Sequence, residues 1–211
     1  MSDLVTLSVP STGKREQTKQ QNRRAILDAA RGVFGELGYE VATVRDIIRR
    51  TNLSVGAFYN YYRSKEEVYE ALSDDGARRF RPILQAQYEA AGDFPSYIRG
   101  AITAYFNFIV EEDEAWRNQP TAVDHRHPHV QGETPEMKAV FDQVRWSISD
   151  ALDRGAGPRV DSEFLAAACI AIAREVGERM LERRPIDVPA AVEFAVQMIL
   201  GGLPALPPPK V

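Results

Sequence analysis

Residues 43–72 read TVRDIIRRTNLSVGAFYNYYRSKEEVYEAL, and the way this stretch folds decides how the rest of the chain is to be read. Phe58, Tyr59, Tyr61 and Tyr62 crowd into five positions and stand beside Arg63 and Lys65. Thr43 with Asp46 three residues on, and Ser64 with Glu67, have the spacing of capping boxes, in which each partner satisfies one orphan backbone N–H of the other. Between them, RRTNLS (49–54) holds Asn52, a residue suited to a tight turn. The spacing predicts two short helices, about 44–51 and 54–61, joined by that turn, with a third opening at 64. This is a helix-turn-helix.

In such a unit the second helix enters the major groove and the first lies across the phosphate backbone. That placement explains the aromatics. A tyrosine packs with its ring and keeps a hydroxyl to donate to a phosphate oxygen. Phe58 and Tyr62, four apart, are expected on the face packed against the first helix of the chain. Tyr59 and, second to it, Tyr61 are expected to face DNA. Thr43, Arg45 and Ser54 flank the two helix starts and are candidate DNA contacts. Lys65 lies in the first turn of the third helix, where unpaired N–H groups already favour an anion. Base reading falls to Val55, Gly56, Ala57 and Asn60, since Val and Ala can touch a thymine methyl and Asn can bond an adenine edge. Plainer readings stand beside these: Tyr59 as a core aromatic, Lys65 as a solvated helix-start residue, Thr43 as a cap alone.

These residues resemble the DNA-binding signature of the TetR family of bacterial transcriptional regulators. The matching features are Thr43, Ile47, Ser54, Gly56, Tyr59 and the Ser64-Lys65-Glu66 corner, preceded by ILDAARGVFGELGYEVATV (26–44). The likeness covers roughly residues 20–72. Ile48, Thr51 and Asn52 depart from the family's usual Ala-x-x-Ala-Gly, and Tyr61 stands where His is frequent, which alters packing without removing a phosphate donor. The resemblance implies an all-α fold, a homodimer, a pseudopalindromic DNA operator, a small-molecule effector and a repressor's role. It implies no enzyme activity and no cofactor.

Charge agrees with a nucleic-acid-facing end. The chain of 211 residues carries a net −4, yet Lys14 to Lys65 holds eleven Lys or Arg against five Asp or Glu, a balance of +6 that leaves −10 for the rest. A basic first quarter on an acidic body points to one face that meets polyanions. Lys14, Arg15, Lys19, Arg23 and Arg24 could follow the backbone, enter the minor groove or simply solubilise the end. One cysteine excludes an internal disulfide framework and fits a reducing, cytoplasmic setting. FLAAACIAIA (164–173) is about half a bilayer span, so no membrane partner is expected.

The remaining two thirds also read as helices. The expected layout is a flexible basic arm over 1–18, a helix-turn-helix domain over 19–65, an effector-binding and dimerisation domain over 66–203, and a flexible tail over 204–211. Gly38 ends the first helix, Pro82 interrupts a long helix over 64–91, and 94–112 is followed by a shorter piece with Trp116 and Arg117. Two stripes, Leu165, Ala168, Cys169, Ile172, Val176, Met180 and Val188, Val192, Ala195, Val196, Ile199, are candidates for pairing with a second copy as a four-helix bundle. The alternative is that both face the core of one subunit. Cys169 reads as an inert packed thiol.

Tyr105, Phe106, Phe108, Ile109, Trp116 and Arg117 are the candidate effector-binding residues, because 97–117 holds more aromatic surface than one helix contact needs. YFNFIVEEDEAWRN (105–118) is faintly similar to effector domains of TetR-type repressors of fatty-acid synthesis, which implies a fatty acyl thioester or another long apolar ligand. A competing reading is a metal-dependent enzyme centred on Asp124, His125, His127 and His129, whose spacing does not match a helical ligand pair. Another keeps DNA binding without an effector.

Overall fold

The computed structural model describes residues 13–117, 134–154 and 159–208, with the side chains of 115–117 excepted. Within these residues the chain is helical: α1 (Lys14–Leu37), α2 (Val44–Arg49), α3 (Val55–Tyr59), α4 (Lys65–Ala90), α5 (Phe94–Arg117), α6 (Pro135–Arg154), α7 (Ser162–Glu182) and α8 (Val188–Gly202), closed by a 3-10 turn at Leu203–Ala205.

Helix α1 begins at Lys14, five residues before the apolar period makes a helix visible. Its first turns, KREQTKQQ, bury nothing but consist largely of strong helix formers. Only residues 1–12 of the expected arm lie outside the described residues. The helix stops at Gly38, whose φ of 75° and ψ of 154° lie where a Cβ is strained, and whose N–H bonds to the Phe34 carbonyl at 3.0 Å.

Two hydrophobic cores form. The first joins Ile26, Val33 and Phe34 of α1 to Ile47 of α2, Phe58 and Tyr62 around α3, and Val68 and Leu72 from the start of α4. Each such fully buried side chain contributes about 1.5–3 kcal/mol, which is how three short helices hold a fixed shape. The second gathers α4 beyond Phe80 with α5 to α8. Helix α4 runs through Pro82 without ending and so belongs to both cores. Helix α5 continues without a break through EEDE (111–114) to Arg117, where a separate piece was expected, because the three glutamates of that run are good helix formers.

The two stripes proposed for pairing mostly turn inward. Leu165, Cys169 and Met180 of α7 are buried, as are Val192, Ala195, Val196 and Ile199 of α8, all within this chain's own second core. The opposite faces carry the exposed apolar side chains: Phe164 is 75 % accessible, Phe194 57 % and Met198 54 %. The stretch Val188–Ala205 is long and apolar enough by composition to cross a membrane, and much of that hydrophobicity lies on this outward face.

Candidate nucleic-acid interface

Local chemistry sets the frame of the head. Thr43 caps α2 reciprocally: its Oγ1 accepts from the Asp46 N–H at 3.3 Å, and the Asp46 carboxylate accepts from the Thr43 N–H at 3.0 Å. The Thr43 hydroxyl also donates to Asp46 Oδ2 at 2.5 Å, and these bonds hold the Asp46 carboxyl below its usual range. Thr51 ties the turn by donating to the Ile48 carbonyl (2.9 Å) and accepting from the Leu53 N–H (3.2 Å). Ser54 caps α3 by accepting from the Ala57 N–H at 3.1 Å. Ser64 caps α4 through the Glu67 N–H at 3.3 Å.

On this frame α3 has two faces. Phe58 is fully buried and Tyr62 nearly so, as their four-residue spacing demands. Val55, Gly56, Tyr59 and Asn60 are exposed on the other side, with Ala57 half-buried. The Tyr59 ring is 53 % accessible and rests edge-on against Phe58, 5.5 Å between centroids, so its hydroxyl is held outward on a fixed ring. Arg45 projects from α2, exposed and without an ion-pair partner among the described residues. Tyr61 is half-buried; its hydroxyl accepts from Asn22 of α1 at 3.0 Å, which leaves the O–H hydrogen available to donate.

Two expected contacts are engaged elsewhere. The Lys65 ammonium donates to the carbonyls of Tyr39 (2.8 Å), Glu40 (3.1 Å) and Ala42 (3.2 Å) and lies 4.5 Å from the centre of the Tyr39 ring. Its three N–H bonds are spent on the loop between α1 and α2, so it clasps that loop and has no donor left for a phosphate. The Thr43 hydroxyl gives its hydrogen to Asp46 and acts as a cap. Ser54 differs, because its oxygen accepts within the cap and its hydrogen remains available.

Two further cations near α3 in the chain are exposed. Arg49 is exposed and only loosely paired with Asp46 at 3.5 Å, and Arg63 is exposed just before α4. The excess of cations between Lys14 and Lys65 was their signal in the sequence. Asp124, His125, His127 and His129 lie outside the described residues.

Four of the candidate effector residues, Tyr105, Phe106, Phe108 and Ile109, are gathered in the second core. Phe106 is fully buried, and Phe80 of α4 meets the rings of Tyr105 at 5.5 Å and Phe108 at 5.3 Å. Phe106 and Ile109 press against Gly177 of α7, where a Cβ would come within 2.6 Å of Ile109 Cδ1. Trp116 and Arg117 end α5, and their side chains are not described.

Residues 26–72 match the family of bacterial regulatory proteins called the tetR family. Over 98 % of both chains, this protein is 26 % identical to the transcriptional activator FasR of Mycolicibacterium smegmatis. It is 38 % identical to the repressor AcnR of Corynebacterium glutamicum over 63 residues, 34 % of that protein. Among solved structures, the fatty acid degradation regulator FadR of Bacillus halodurans superposes with a TM-score of 0.68 at 20 % identity, covering 92 % of this chain and 98 % of that one. FadR of Bacillus subtilis, solved with stearoyl-CoA, superposes at 0.66 with 15 % identity over 85 % of this chain and 98 % of that one.

Proposed function

We propose that this chain, whose residues 26–72 match the tetR family of bacterial regulatory proteins, is a homodimeric repressor that reads one half-site of a pseudopalindrome with each α3 and releases it when an apolar effector occupies the second core. The observation that carries the reading is the division of α3 into a buried face, Phe58 with Tyr62, and an outward face of Val55, Gly56, Tyr59 and Asn60. A rigid ring bearing a hydroxyl suits a phosphate, and the small side chains before it let the backbone approach base edges. Arg45, Ser54, Ala57 and Tyr61 complete the contact set, with Thr43 and Lys65 holding the loop and helix that present them. The head takes in residues 19–65 and the first two turns of α4, which share its core.

Pairing through the outward faces of α7 and α8 is supported by Phe164, Phe194 and Met198, apolar groups that a second copy would cover. A long apolar effector, with a fatty acyl thioester as the first candidate, is supported by the aromatic interior around Tyr105, Phe106, Phe108 and Ile109 and by the stearoyl-CoA held by the Bacillus subtilis regulator in this fold. The setting is the bacterial cytoplasm, where both DNA and acyl thioesters are found.

Selection of duplex sites from a random pool at a stated salt concentration tests the central claim. The expected product is an inverted repeat with half-site centres about one helical turn, or a multiple of it, apart. Failure to enrich any duplex at low salt overturns the reading. Transcription in vitro from the selected site should fall on adding the protein. A rise would place it with activators such as FasR.

A further inference from the structure

The hydroxyls of Tyr59 and Tyr61 both belong to the proposed contact set, yet they are held in different ways. The Tyr59 ring rests edge-on against the fully buried Phe58. Tyr61 lies two residues beyond the end of α3, in a turn where its N–H bonds to the Phe58 carbonyl at 2.8 Å. Its side chain packs against the first core but meets no other aromatic ring among the described residues. Its hydroxyl is fixed from 39 residues away: Asn22 Nδ2 of α1 donates to Tyr61 Oη at 3.0 Å. The next residue of α1 clasps the next residue of the turn, with the Arg23 guanidinium 5.8 Å from the centre of the Tyr62 ring. Two consecutive residues of α1 thus hold two consecutive aromatics after α3.

Asn22 is a weak choice for a position that only has to continue a helix, because Asn is a poorer helix former than the Lys, Gln and Arg around it. Among the described residues its amide makes one side-chain bond, and that bond goes to Tyr61. The direction of the bond decides its consequence. An amide N–H only donates, so the phenol oxygen accepts and its single hydrogen stays free. Accepting one bond polarises the hydroxyl and strengthens the bond it donates in turn. The matching acceptor on DNA is a phosphate oxygen, since a charged partner shortens and strengthens such a bond. Because Asn22 holds the hydroxyl in place before DNA arrives, less ordering is left for the binding step.

We infer that Asn22 is a positioning residue for DNA binding: its amide orients the Tyr61 hydroxyl to donate to a phosphate, acting through Tyr61 rather than on the duplex itself. This rests on the reading of Tyr61 as a backbone contact. It adds that α1 shares in the affinity through a neutral side chain, apart from its cations.

The test is a double-mutant cycle on the duplex recovered by site selection, with the full-length parent, Asn22→Ala, Tyr61→Phe and the double variant titrated by fluorescence anisotropy at several salt concentrations. Asn22→Ala should weaken binding about fivefold and Tyr61→Phe about tenfold. The double variant should bind like Tyr61→Phe within about twofold, because Asn22 then has nothing left to orient. The slope of log K against log salt should match the parent's in all three, since no cation is removed. The melting temperature of Asn22→Ala should stay close to the parent's, as the gain in helix propensity offsets a half-buried bond. Losses that add in the double variant, or an Asn22→Ala variant that binds like the parent, overturn the inference while the DNA reading stands. A lowered melting temperature with a loss that persists in the Tyr61→Phe background marks a packing effect and overturns it too. If Tyr61→Phe binds like the parent and Tyr59→Phe does not, the Tyr61 contact and this inference fall together. A parent that binds no duplex at low salt overturns the DNA reading as a whole.

Discussion

Lys65 shows how one side chain can carry the right chemistry and be used for something else. As a cation at a helix start beside an aromatic cluster, it reads as a phosphate contact. Its partners are three carbonyls 23 to 26 residues earlier in the chain, which no local pattern reveals. Arg45 and Lys65 therefore separate in a salt titration. Arg45→Ala should flatten the slope of log K against log salt by about one unit, whereas Lys65→Ala should weaken binding with the slope unchanged and lower the melting temperature of the head. Tyr59→Phe should cost about tenfold in affinity across all duplex sequences, with no change in melting temperature, because the hydroxyl it removes is exposed and, in the proposed complex, would donate to a charged phosphate. Gly38→Ala should destabilise the head by about 1–3 kcal/mol in denaturant unfolding, the cost of forcing a Cβ into its backbone conformation. Asp46 adds an acid limit. Its carboxyl is depressed in the folded state, so the α2 cap contributes fully above the unfolded value near 4 and is lost as pH falls through the lower, folded value. Asp46→Asn should reduce the loss of stability seen on acidification below pH 4.

At the scale of elements, α4 is the helix shared by both cores. Its first turns pack in the head, its later turns in the body, and an ion-pair chain runs across it: Arg31 of α1 to Asp75 at 3.2 Å, Asp75 to Arg79 at 3.1 Å, and Arg79 to Glu112 of α5 at 2.7 Å. The bidentate contact with Glu112, more than the pairing with Asp75, raises the Arg79 guanidinium further above its ordinary value. Half-exposed pairs of this kind add little stability, so Arg79→Met should change the melting temperature only slightly. Its expected effect is on communication. Effector affinity should persist while the effector loses much of its power to lift the protein from DNA, measured as operator affinity with and without ligand. The caps of α2 and α4 were legible because each is written in residues three apart. The true start of α1 and the unbroken run of α5 were not, since KREQTK and EEDE have helix propensity without an apolar period.

At the scale of the whole molecule, the two cores follow from the sequence as far as periodicity allows. In the head, one apolar face per helix leaves one way to pack. Helix α8 reads VPAAVEFAVQMILGG, apolar nearly all round, and such a helix does not declare which face is the interior. Val192 and Val196 went inward and Phe194 and Met198 outward, a choice made by the shapes of α5 and α7 rather than by α8 itself. Phe194→Arg should therefore yield monomers in sedimentation velocity and abolish binding to an inverted repeat, leaving the helical content of each subunit intact. The same outward face has a genetic consequence. With pairing through this face as proposed, a subunit crippled at Tyr59 or Arg45 would still find partners through Phe194 and Met198 and draw sound subunits into hybrids with a single working head. Cells carrying both alleles would show the mutant phenotype, and adding Phe194→Arg to the crippled allele would restore the wild-type one.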